Sequence, residues 1–318
     1  MNEPALGGIA QRAQDRPEPI LRPGNTNCGG CGMSIGWQFL SRAVAHEPIQ
    51  IVIPACCGIV TAGPYPYSAY GAPILASTFA SAAAMATGLS QAARLNGEAT
   101  RVLCWAGDGG TYDIGMATLS AAAERNENIL YICYDNEIYG NTGGQRSSAT
   151  PLGAVTTTTP IGKEVGKKDI VGIMAAHGIA YAASLSLAHP DDAMRKFRHC
   201  LDLEGFRFLH ILSPCPTGWK SEPADGVQLL RLAVSSGLYP VIEVFDGERT
   251  VINVEPSFSY EDLATYFAAQ ARFKRERYSL EAVAARIQRN WRRLRVQPAA
   301  SAALAEPLPE PAGAPLAV

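Results

Sequence analysis

Short, largely apolar runs alternate along this chain with longer stretches whose apolar residues recur at helical spacing. Residues 50–54, 102–106, 129–134 and 206–212 are apolar through most of their length and end at Gly, Pro or polar clusters. They read as buried strands, and residues 179–183 as a further one. Between them, residues 34–45, 112–125, 169–176 and 190–202 read as helices. Residues 73–95, rich in Ala, Ser and Thr, read as one long helix whose small side chains allow close packing. The element it packs on is either internal or a second subunit. This alternation predicts an α/β fold with a doubly wound, mostly parallel sheet. Farther on, residues 228–235 and 260–273 read as helices, and residues 239–252 as a hairpin around Asp246-Gly247. Residues 278–296 form an arginine-rich amphipathic helix suited to docking on a neighbour. The expected organisation is an N-terminal arm (1–21), a main domain (22–255), a helical extension (256–296) and a disordered Ala/Pro-rich tail (297–318).

Composition narrows the class. A chain of 318 residues with 47% hydrophobic and 18% charged residues has enough apolar material for a large core. A formal charge of −2 gives no electrostatic case for nucleic acid. No apolar run reaches membrane-spanning length, and residues 1–22 lack the apolar core of a signal peptide, so a cytoplasmic location is expected. Eight cysteines are many for a reducing compartment, where structural disulfides are rare. Cys104 and Cys133 lie inside strand-like runs and Cys200 on a helix, so packing accounts for them. Cys28, Cys31, Cys56, Cys57 and Cys215 instead lie in stretches with Gly or Pro close by, where ligands are held. The Cys28-Gly-Gly-Cys31 pair has no strand before it, as a thioredoxin-type pair would, and no second C-x-x-C or His pair to complete a zinc site. An iron–sulfur cluster, which takes thiolates from separate loops, fits better.

The second chemical signal sits at two strand ends. Gly107-Asp108-Gly109-Gly110 follows the run 102–106, and Asp135-Asn136-Glu137-Ile138-Tyr139-Gly140-Asn141 follows the run 129–134. Glycines let backbone amides approach a ligand, and a hard carboxylate suits Mg²⁺ that also holds phosphates. Together they read as a metal–diphosphate site joined by a βαβ unit, at the carboxyl ends of strands where α/β sheets bind ligands. The Thr-rich stretch 156–159 is a candidate lid over it.

These motifs, with Gln145-Arg-Ser-Ser-Ala-Thr-Pro151 and Ser213-Pro-Cys-Pro-Thr-Gly-Trp219, occur in an order that resembles the β subunits of the 2-oxoacid:acceptor oxidoreductase family, nearest to the pyruvate:ferredoxin type. The resemblance runs from about residue 20 to 275. It implies a thiamine diphosphate-binding (diphosphate-type) domain, with thiamine diphosphate, Mg²⁺ and a [4Fe–4S] cluster as cofactors and coenzyme A as co-substrate. By the same resemblance Asp108, the Asn136 side chain and the Ile138 carbonyl ligate Mg²⁺. Gly107, Gly109 and Gly110 admit the diphosphate, and Thr142 and Gly143, directly after Asn141, also bind the cofactor. Asn141 lies near the thiazolium and substrate, in a catalytic role, and Gly32 and Met33 beside the cofactor. Cys28, Cys31 and Cys215 match cluster ligands. For the remaining one, counting back from Tyr65-Pro66-Tyr67 selects Cys57 and counting forward from Cys31 selects Cys56; the nearer anchor favours Cys57. Asn25 stands where the family usually has His.

The implied reaction is oxidative decarboxylation of a 2-oxoacid, most favourably pyruvate, to acyl-CoA and CO₂, reversible as a synthase. The family's β subunit lacks the pyrimidine-binding domain, so an alpha-type subunit must complete the site. Gamma- and delta-type subunits with further clusters, and ferredoxin or flavodoxin, are the other expected partners. The alternatives are the same chemistry on a branched-chain, aromatic or oxalate substrate, a thiamine decarboxylase or synthase half without electron transfer, and a cluster-bearing subunit without thiamine catalysis.

Overall fold

The structure, a computed structural model, describes residues 18–63, 66–274 and 278–303, with side chains described as far as 296. Most of the expected N-terminal arm, Pro64-Tyr65 and the tail beyond Ala303 lie outside those residues. One eight-stranded sheet organises the rest, in the order β2-β1-β3-β4-β6-β5-β7-β8. Its strands are β1 (Ile49–Pro54), β2 (Ile74–Ser77), β3 (Arg101–Gly107), β4 (Ile129–Asp135), β5 (Tyr181–Ser186), β6 (Phe206–Leu212), β7 (Val241–Phe245) and β8 (Arg249–Val254). The first six run parallel, and β7 and β8 form the expected hairpin, with β7 antiparallel to both β5 and β8. Asp246 (φ 54°) and Gly247 (φ 72°) make its turn in the left-handed region.

Helices cover both faces, so parallel strands lack a polar side and read as continuous apolar runs. Side chains still alternate between two cores. Ile51, Leu103, Trp105, Leu130, Ile132 and Leu209 face a core with α1 (Gly32–Val44), α6 (Pro190–Asp202), α8 (Gly226–Ser235), α9 (Tyr260–Ala268) and α10 (Leu280–Ala303). Val52, Cys104, Ala106, Tyr131, Cys133 and Phe208 face the other, with α3 (Ala82–Asn96), α4 (Met116–Glu124) and α5 (Ile170–Ala175). Cys104, Cys133 and Cys200 are fully buried, as packing predicts. Two short helices, α2 (Cys57–Val60) and α7 (Pro216–Trp219), sit in the loops after β1 and β6.

Four segments depart from the sequence expectation. Residues 73–95 are not one helix: Ile74–Ser77 pairs with β1 as the edge strand, and the chain turns at residues 78–81 before α3 begins. An apolar four-residue strand placed directly before an Ala-rich helix shares its composition, and periodicity alone does not separate them. The helix expected at 112–125 opens with a π-helical turn, Gly109–Asp113, that keeps Gly109 and Gly110 at the strand end. Residues 269–273 leave α9 and fold inward, bringing Arg272 into the interior. The α10 helix continues to Ala303, past its expected end at 296.

Candidate functional site

Four neighbouring strands, β1, β3, β4 and β6, release the chain at one edge of the sheet. Cys56 and Cys57 follow β1, Asp108 follows β3, Asn136 follows β4, and Cys215 lies just beyond β6. The connections from β1 outward to β2 and back across to β3 reverse direction here, which opens the crevice used for ligands in α/β sheets. A cavity of about 160 Å³ occupies it. Gly107, Asp108, Gly109, Gly110, Asn136, Ile138, Asn141, Thr142 and Cys57 all line it. Tyr134, Tyr139 and Phe79 line it too, without having been assigned from sequence. A Cβ on Gly109 would meet the Tyr139 ring at 2.1 Å, so that glycine admits the ring, whose hydroxyl bonds Asp113 at 2.7 Å.

Asp108 is buried, and its Oδ2 accepts a hydrogen bond from Ser147 Oγ. Burial, then the charge of Asp135, pushes its carboxyl well above the ordinary range. A divalent cation would supply the positive charge this carboxylate lacks. Asn136 and Ile138 add oxygen donors beside it in the same cavity, so the residues fit Mg²⁺ with a phosphate ligand.

The turn that presents those donors is tied on every side. Glu137 has φ 65°, rarely adopted by a side-chain-bearing residue. Its N–H donates to Asp135 Oδ1 at 2.9 Å, and its carbonyl accepts from Thr150 Oγ1 at 2.7 Å. Its carboxylate pairs with Lys167 at 3.1 Å and Arg272 at 2.6 Å. Lys167 also reaches Asp135 at 2.5 Å, and His210 Nε2 and the Tyr112 hydroxyl each contact that carboxylate at 2.8 Å. Burial works against ionisation of Asp135, but Lys167 and His210 outweigh it and hold the carboxyl far below its ordinary value. Lys167→Met would leave the buried Asp135 carboxylate without its ammonium partner, while Glu137 keeps Arg272. It should lower stability by about 3–5 kcal/mol, read from urea unfolding.

The loop cysteines converge from three segments. Cys28 is exposed and Cys31, Cys57 and Cys215 are half-buried. Burial, then the charges of Cys215 and Cys28, takes the Cys31 thiol up to about 11. Burial, then Cys56, Cys215, Cys31 and Cys28, takes Cys57 up to about 12. Cys57 therefore faces the thiols of both other loops. Cys56 packs instead beside Gly58 and Gly107, within reach of the Tyr134 hydroxyl. Among the described residues no three His, Cys, Asp or Glu side chains stand close enough to share one metal ion. The soft donor set, four cysteines brought together from three loops, fits an iron–sulfur group.

Gly32 and Met33 do not line the cavity. Gly32 packs on the loop after β6, where a Cβ would meet Pro214 Cδ at 2.4 Å, and its N–H bonds Pro214 O at 2.9 Å. Its lack of a side chain thus docks the Cys28–Cys31 loop onto the Cys215 loop. Met33 is buried in the core. Gly143 (φ 113°) makes a turn outside the cavity, and Asn25 caps a local turn by bonding Arg22 O at 2.9 Å. The candidate lid folds onto Gly144 through Thr157 N at 3.0 Å, and its residues do not line the cavity. Ser147, Lys167, Trp219 and Arg272 support the turn without having been assigned from sequence.

Residues 57–211 match the thiamine pyrophosphate enzyme C-terminal TPP binding domain, which sets the class of fold and site. The chain belongs to the β-subunit family of the 2-oxoacid oxidoreductases, the family of PorB and VorB. It is 42% identical over 263 residues to pyruvate synthase subunit PorB of Methanothermobacter marburgensis, spanning 81% of this chain and 90% of that protein. It is 38% identical over 284 residues to ketoisovalerate oxidoreductase subunit VorB of Pyrococcus horikoshii, spanning 86% and 91%. The 2-oxoglutarate:ferredoxin oxidoreductase from Magnetococcus marinus, solved with 2-oxoglutarate, coenzyme A and succinyl-CoA bound, shares the fold. It superposes with a TM-score of 0.57 at 24% identity, over 68% of this chain and 80% of that one.

Proposed function

We propose that this chain is the β subunit of a 2-oxoacid:ferredoxin oxidoreductase that converts pyruvate and coenzyme A to acetyl-CoA and CO₂, reversibly. The observation that carries the reading is one cavity lined by Asp108, Asn136 and Ile138 with Cys57 on its wall. In this reading Asp108, the Asn136 side chain and the Ile138 carbonyl hold Mg²⁺, and the Gly107–Gly110 strand end receives the diphosphate. When bound, thiamine diphosphate supplies the nucleophilic carbon and electron sink for decarboxylation, and a [4Fe–4S] cluster accepts single electrons. Cys28, Cys31, Cys57 and Cys215 hold that cluster. Asn141 and Thr142, on the loop after the metal turn, face the substrate. Buried Tyr134 and half-buried Phe79 form an aromatic wall that limits water.

Asp108 is the only carboxylate lining the cavity among the described residues. The carboxylate that activates the aminopyrimidine then comes from an alpha-type partner, and gamma- and delta-type subunits carry electrons on to ferredoxin or flavodoxin in the cytoplasm. The 38% identity to VorB over 284 residues supports a second reading, a branched-chain 2-oxoacid as substrate.

The test is anaerobic co-purification with partner subunits, followed by a panel of 2-oxoacids with coenzyme A and a one-electron dye. Pyruvate should give the highest kcat/KM, with about four irons per copy of this chain. A branched-chain preference would favour the second reading. Absence of coenzyme A-dependent dye reduction with every 2-oxoacid would refute both.

A further inference from the structure

The cysteine loop after β6 and the metal turn after β4 are built into one another. Cys215 caps the short helix α7, with its Sγ accepting from Gly218 N at 3.3 Å and its carbonyl from Trp219 N at 2.7 Å. Trp219, at the other end of that helix, is fully buried and donates its indole Nε1–H to the Asn136 carbonyl at 2.9 Å. A Cβ on Gly218 would meet Ile138 Cγ2 at 2.8 Å and Cys215 Sγ at 3.1 Å, so no free space separates the loops. Arg272 closes the assembly from a third segment. Its guanidinium stacks on the Trp219 ring at 4.5 Å and pairs with Glu137 at 2.6 Å, and it is itself buried. The Arg272 N–H bonds the Trp219 carbonyl at 3.4 Å.

We infer that Trp219 and Arg272 are positioning residues that couple occupancy of the four-cysteine site to affinity for Mg²⁺–thiamine diphosphate. The inference rests on the assignment of those two sites above. Cys215 cannot shift toward a bound cluster without moving Gly218 and Trp219, and Trp219 holds the backbone of Asn136. The residues flanking Asn136 are pinned by Lys167 and Arg272, so the turn follows α7 as a body. Such a link is reciprocal: whichever site fills first favours filling of the other.

The experiment measures Kd for Mg²⁺–thiamine diphosphate by calorimetry on the anaerobic complex, iron-loaded and after chelation of iron. Wild type should bind about tenfold more tightly when iron-loaded, within the usual range of coupling between sites. Trp219→Phe keeps an aromatic ring for the Arg272 stack and removes the indole donor together with part of the buried ring. It should shrink that ratio to within about twofold with iron content preserved, at a Tm lowered by the lost ring volume. An unchanged ratio in Trp219→Phe, or equal affinities in the two wild-type forms, overturns the inference. If chelation unfolds the complex, the iron-loaded forms decide: equal Kd for wild type and Trp219→Phe also overturns it. A wild-type complex that binds iron and the diphosphate keeps the assignment of the sites standing in each of these cases, so the two failures are distinguishable.

Discussion

Asp108→Ala should abolish Mg²⁺-dependent retention of thiamine diphosphate and lower kcat by more than a hundredfold, since removing even outer partners of a metal site costs 10–100-fold. The loss should come without unfolding. Asp108 lies buried beside Asp135, and both effects raise its carboxyl above the ordinary range. For an acid whose folded pKa is raised, the folded state is favoured below the unfolded pKa, and that contribution is lost as pH rises through the folded pKa. Ionising Asp108 therefore works against folding of the metal-free chain. Asp108→Asn should leave the metal-free Tm unchanged or raise it, while thiamine diphosphate affinity still collapses. Thermal scans with and without Mg²⁺, beside cofactor titrations, separate the two effects. Undiminished activity in Asp108→Ala would remove this residue from the metal site.

The second large effect concerns two adjacent cysteines. Cys57→Ser should abolish the visible absorbance of the cluster and the electron transfer that depends on it, as should Cys28→Ala and Cys215→Ala. Cys56→Ser should keep both. Cys57 shares its charge environment with Cys215, Cys31 and Cys28, whereas Cys56 is turned toward Tyr134 and Gly107. Iron content and the spectrum of each anaerobically purified variant provide the check. Full iron in Cys57→Ser together with loss in Cys56→Ser would reverse the assignment.

The sheet was legible because parallel strands covered on both faces leave uninterrupted apolar runs, as in residues 102–106 and 129–134. The convergence of Asp108, Asn136 and Ile138 on one cavity was legible because each stands within a few residues of a strand end. What supports the turn after β4 was not. Lys167, Trp219 and Arg272 reach it from separate, distant segments, and a lone basic or indole side chain carries no mark of the carboxylate or carbonyl it will meet. Arg272 in particular lay within an expected helix and became interior only because the chain turns inward after Ala268. The edge strand β2 was hidden for a different reason. Its pairing with β1 is tertiary, and Ile74–Ser77 has little to distinguish it from the Ala-rich helix that follows.

The convergence of the cysteines also constrains the order of biogenesis. Their loops come from before β1, after β1 and after β6, and the last is positioned only once β6 has inserted between β4 and β5. The emerging polypeptide thus presents Cys28, Cys31 and Cys57 long before Cys215 can join them. Any group held by all four cysteines could therefore be completed only after β6 has joined the sheet.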